Sequence, residues 1–130
     1  MTPHAPPAKA RPLLVVAPAL PERSELFGAL AARSDFRILY AATLAEALHV
    51  LRDRTVALVI AAPELPAAAV TELLAAKERL RPELPVLIIR NRQAEEPPGW
   101  ERGGVGVLRR PLLPEALDRS VDVVLGLRSA

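Results

Sequence analysis

The chain has 130 residues, enough for one domain with a sizeable core, and its 51% apolar and 25% charged content is that of an ordinary globular protein. It contains no cysteine, which excludes disulfides, thiolate catalysis and cysteine–zinc sites and suits a reducing cytoplasm. Net charge is only +2, the arginines are scattered among acids, and aromatics for base stacking are few, so direct nucleic-acid binding is not expected.

In chain order, residues 1–11 are Pro- and Ala-rich and read as a disordered lead with no secretory signal. Residues 12–17, Pro-Leu-Leu-Val-Val-Ala, form a first buried strand ended by Pro18. Glu22 to Arg33 carries Leu26, Phe27 and Leu30 at helical spacing, and Phe36 to Ala42 is a second strand. Thr43 and Glu46 make a capping box that opens the second helix, whose inner face is Leu44, Ala47, Leu48 and Leu51.

Ala57 to Ala62 is wholly apolar, as expected of a strand covered on both faces at the centre of a parallel sheet. Pro66 leads into a helix over Ala67 to Leu80, with Val70, Leu73, Leu74 and Leu80 directed inward. Val86 to Ile89 is the fourth strand. Between Arg90 and Arg102 the Pro97-Pro98-Gly99 run limits any helix to about two turns. Val105 to Leu108 is the fifth strand, and Pro114 starts a last helix through Leu127. Arg, Glu or Pro interrupts every apolar run before the ~18 residues of a membrane span.

This alternation predicts an α/β doubly wound parallel sheet in the order 2-1-3-4-5 with helices on both faces and a short or broken fourth helix. Ligands of such sheets bind beyond the carboxyl ends of the strands. The central strand ends there in Ala61, Ala62 and Pro63, none of which carries chemistry. His4 and His49 have no patterned partner, and Ser24, Ser34, Ser120 and Ser129 lack a histidine–acid set, so no enzyme is expected. Gly103-Gly104 enters a strand and reads as a turn instead of a phosphate loop.

The order and spacing of these blocks resemble the receiver domain of two-component response regulators, over roughly residues 12–128. Leu-Leu-Val-Val, Thr43 to Leu48, Ala57 to Pro66, Leu84 to Ile89 and Arg109-Arg110-Pro111-Leu112 carry the likeness. The resemblance implies a flavodoxin-like fold. It aligns the metal-binding acidic pair with Ala17 and Pro18 and the phosphoacceptor aspartate with Ala62. The Ser/Thr after strand four aligns with Arg90, the Lys before Pro with Arg110, and the aromatic switch position with Val107. Neither Glu22 nor Glu64 rebuilds the pocket when the register is shifted. No metal or other cofactor is therefore expected, and phosphotransfer is expected to be lost.

Arg90 and Arg110 admit two readings: an anion pocket at the strand ends, or side chains that fill the space of the lost acids or lie in solvent. Trp100 either pins its loop to the core or stands exposed as a partner anchor. The resemblance implies a dimer and output surface on the fifth strand and fifth helix, where Val107, Leu117, Val121 and Val124 are candidates beside Trp100. The expected function is a phosphorylation-independent pseudo-receiver for protein interaction or dimerisation in bacterial signal transduction, serving an output domain outside this chain. The alternative is a sensor of an anionic nucleotide or cyclic dinucleotide near Arg90 and Arg110.

Overall fold

The computed structural model describes residues 11–18, 23, 24, 26, 28, 30, 33, 35–95, 100 and 104–126. Of the expected N-terminal lead, residues 1–10 lie outside them, and Arg11 instead begins the first strand, its N–H bonded to the Asp35 carbonyl at 3.0 Å. Strand β1 spans Arg11–Val16, β2 Phe36–Ala41, β3 Leu58–Ala61, β4 Val86–Arg90 and β5 Val105–Arg109. Helix α1 spans Leu44–Asp53, α2 Ala67–Leu80 and α3 Pro114–Val124. Between β1 and β2, the described residues Arg23, Ser24, Leu26, Gly28 and Leu30 are helical.

The five strands form one sheet in the order β2-β1-β3-β4-β5, every neighbouring pair parallel. This is the expected topology. Strand β3 shows why a central strand must be apolar throughout. Val59 and Ala61 face a core cluster with Leu51 of α1 and Val70 and Leu73 of α2. Leu58 and Ile60 face the opposite cluster, with Leu26, Leu30 and with Leu117 and Val121 of α3. Burial of each such Leu, Ile or Val side chain contributes about 1.5–3 kcal/mol.

Local sequence sets the element ends. The Glu46 N–H donates to Thr43 Oγ1 at 3.1 Å, while Glu46 Oε1 accepts from the Ala42 N–H at 3.2 Å. The capping box thus forms, reaching one residue further back than its simplest version. Leu80 differs from expectation: the end of α2 runs past the sheet, and this residue is 41% exposed. Lys77, 1% exposed, bends instead to the carbonyl of Pro82 at 2.5 Å and closes the turn into β4.

The connection from β4 to β5 is the unusual part. Its described residues, 91–95, 100 and 104, form turns and no helix. Trp100 is 3% exposed, in the core cluster with Val59, Val70, Leu73, Ile88 and Val105. Where β5 meets α3, Gly106 permits a close approach: a Cβ there would lie 2.8 Å from Val124 Cγ1. The Arg110–Pro111 bond that follows β5 is cis. No helix among the described residues is long and apolar enough to cross a membrane.

Candidate functional site

The carboxyl ends of β1 and β3 meet at Ala17 and Ala62. The ladder continues one residue beyond each strand, with the Ala17 N–H donating to Ala41 O at 2.9 Å and the Ala62 N–H to Val16 O at 3.0 Å. Both side chains are buried, at 0% and 1% exposure, in the apolar cluster with Val15, Ile60, Ile89 and Leu117. Pro18 and Glu64 are exposed and Pro63 is buried. Among the described residues no group of three or more His, Asp or Glu side chains is placed to hold a metal ion.

Cations stand at this end of the sheet. Arg23 Nε donates to the Ala17 carbonyl at 2.9 Å, and its guanidinium lies 5.3 Å from the Tyr40 ring centre. The Tyr40 hydroxyl donates in turn to the Arg23 carbonyl at 3.4 Å. Burial pushes that phenol above its ordinary pKa, with the Arg23 charge opposing the shift. This arginine was not singled out from sequence; its place just inside the first helix, near the end of β1, was the only signal.

Arg90, at the end of β4, is buried with 8% exposure. Nη1 donates to the Leu65 carbonyl at 3.4 Å and Nη2 to the Glu95 carbonyl at 3.3 Å. The guanidinium also lies 5.3 Å from the Trp100 ring centre. It therefore faces carbonyl oxygens and a π cloud, surroundings made for a cation and unfavourable to an incoming anion. Arg110 is half-buried, its backbone N–H bonded to the Arg90 carbonyl at 3.0 Å. Arg109 Nη1 donates to the carbonyls of Asn91 at 3.1 Å and Ala94 at 2.6 Å.

The five interface candidates do not share one exposed face. Trp100 is buried, because its indole fills the gap above β3 and β4, so the exposed-anchor reading is corrected. Leu117 and Val121 are also corrected: both are 0% exposed, consumed by the sheet and by Leu26 and Leu30. Val107 of β5 and Val124 of α3 are half-buried and belong to the clusters on opposite faces of the sheet. Leu113, in the turn from β5 to α3, is 51% exposed. His49 is exposed and pairs with Asp53 at 3.0 Å, one turn along α1.

Open grooves of about 410 Å³ beside Val56, Leu84 and Pro85 and about 530 Å³ beside Tyr40, His49 and Asp53 lie away from Ala62. No protein-family model matches the sequence, and no curated protein matches it. Solved structures do, and they are receiver, CheY-like domains. The receiver domain of the hybrid histidine kinase CckA is 27% identical, with a TM-score of 0.67, over 88% of this chain and 98% of that one. The chemotaxis protein CheY4 of Vibrio cholerae is 20% identical, with a TM-score of 0.69 and the same coverage of 88% and 98%. A putative response regulator of Chloroflexus aurantiacus is 21% identical, with a TM-score of 0.73, over 91% and 99%. The chain has the flavodoxin-like fold of these domains.

Proposed function

We infer that this chain is a receiver-like input module of two-component signalling that accepts no phosphoryl group and acts through protein contacts. The receiver neighbours support the signalling role. The observation that carries phosphate independence is Ala62, buried at 1% exposure beside Ala17 in an apolar cluster. An acyl phosphate needs a carboxylate nucleophile, and a Mg²⁺ ion beside it needs hard oxygen ligands. Two alanines offer neither. The Arg23 guanidinium on the Ala17 carbonyl adds positive charge where a metal would have to approach.

The same reading makes the module a non-enzyme of the cytoplasm whose surface is read by a second copy or by an output partner. The surface where β5 turns into α3 is the one we favour, because Leu113, in that turn, is 51% exposed. An anion sensor at Arg90 and Arg110 is disfavoured, since the Arg90 guanidinium already serves two carbonyls and an indole.

Intact-mass measurement after incubation with acetyl phosphate and Mg²⁺ tests the reading. An unchanged mass is expected. Gain of one phosphoryl group would refute it.

A further inference from the structure

The described part of the β4–β5 connection, residues 91–95 and Trp100, is tied down by side chains. Arg90 and Arg109 are register partners on the adjacent strands β4 and β5. Both send guanidinium groups to carbonyls of the segment 91–95: Arg90 to Glu95, and Arg109 to Asn91 and Ala94. Arg90 also reaches back to the Leu65 carbonyl, in the turn between β3 and α2. Its other neighbour, Trp100, donates from Nε1 to Thr71 Oγ1 of α2 at 3.1 Å. The ring of contacts is closed: β4, the β3–α2 turn, α2, Trp100 and back to Arg90.

We propose that Arg90, Trp100 and Thr71 form a clasp that holds residues 91–95 and Trp100 to the β3–α2 turn and α2 in one arrangement, so that this part of the module presents a fixed surface without any ligand at the strand ends. Electrostatics supports the assignment. A buried guanidinium is expensive unless it is paired. Arg90 Nε is buried without a hydrogen bond, so Nη1, Nη2 and the indole face supply what compensation there is. A cation placed at such cost, with its donors directed at two separate loops, is a tether and not filler. The clasp is independent of phosphate chemistry, because its contacts involve neither Ala17 nor Ala62.

Hydrogen exchange on the full chain, read by mass spectrometry, tests it with Arg90→Met and Arg90→Lys. Met keeps the apolar stem and removes every donor; Lys keeps the charge but reaches only one carbonyl at a time. In Arg90→Met, exchange over 62–66 and 91–95 should rise about tenfold, as for losing a hydrogen bond to a charged group, while β1 and α1 keep their protection. Arg90→Lys should fall between. Trp100 is the only tryptophan, so its emission reports the clasp directly and should shift to the red in Arg90→Met and in Thr71→Val. Unchanged exchange in both loops would overturn the proposal. So would acceleration spread evenly over the chain, which would mark a general loss of stability.

Discussion

Arg33 and Asp118 lie 2.7 Å apart, nitrogen to oxygen, although 85 positions separate them in sequence. The same guanidinium pairs with Asp122 of α3 and with Asp35 just before β2, each at 3.0 Å, and lies 5.3 Å from the Phe36 ring centre. One cation thus binds the last helix to the approach of the edge strand. Asp35 above all, and Asp122 with it, hold the guanidinium protonated even more firmly than usual. Arg33→Met leaves three acids facing one another and should cost about 1–3 kcal/mol, the range for breaking partly buried charged hydrogen bonds. Urea denaturation measures it. The loss should be smaller in Asp118→Asn, since that carboxylate is 46% exposed.

Acid should weaken the same junction. The hydrogen bond from Arg33 holds the Asp35 carboxyl below its ordinary pKa of 3.8. A depressed folded-state pKa contributes stability that is present above the unfolded value and lost as pH falls through the folded one. The urea midpoint should therefore drop as the buffer is taken below about pH 4, where unfolded aspartates titrate. In Arg33→Met the Asp35 part of that drop should shrink, leaving what its own backbone hydrogen bond and the Arg11 charge supply. Equal acid sensitivity in both proteins would deny Asp35 this role.

Glycine at position 106 sets how closely α3 approaches β5. Gly106→Val places a branched side chain against Val124 Cγ1, which a Cβ alone would meet at 2.8 Å. Overpacking of this kind costs about 1–3 kcal/mol. Val124→Ala in the same chain should recover part of it, and a double-mutant cycle by chemical denaturation reads the coupling.

Trp100 and Leu113 should separate stability from association. Trp100→Ala empties a site 3% exposed and should cost about 3–5 kcal/mol, as for other large core truncations. Leu113→Ser, at 51% exposure, should stay within about 0.5 kcal/mol of the wild type. Under the proposed reading it should nonetheless weaken any concentration-dependent dimer seen by light scattering.

Much of the fold was legible because parallel strands advertise themselves. Leu-Leu-Val-Val, Leu58 to Ala61 and Val86 to Ile89 are apolar on successive residues, which only a strand covered on both faces requires. Thr43 and Glu46 marked a helix start to the residue. The surface was harder to read. An apolar stripe on α3 does not say what covers it, and here Leu26, Leu30 and the sheet take up Leu117 and Val121 completely. Nor does periodicity reveal that the indole is buried, since Trp100 belongs to no repeating pattern. The direction of the Arg90 side chain depends on the carbonyls of Leu65 and Glu95, which are distant or irregular in sequence. The residue types at the strand ends, by contrast, were visible at once: Ala17 and Ala62 carry no carboxylate, and the fold adds only that they lie side by side.

Restoring one carboxylate should not restore the chemistry. Ala62→Asp would place an acid in a site now 1% exposed, with Ala17 and exposed Pro18 offering no second carboxylate for a metal and the Ala17 carbonyl already accepting from Arg23. The variant should lose stability, more so at neutral than at acid pH, because a desolvated carboxyl is better tolerated protonated. It should gain no phosphoryl group from acetyl phosphate.

The most direct test of phosphate independence is the amide NMR spectrum of the wild-type chain, recorded with and without Mg²⁺ and beryllofluoride, a mimic of the aspartyl phosphate. Spectra that superimpose at every strand-end residue are the predicted result. Shifts at Ala17, Ala62 and Arg90 that saturate with added beryllofluoride would contradict the account, since they would require an acceptor carboxylate at the end of β3.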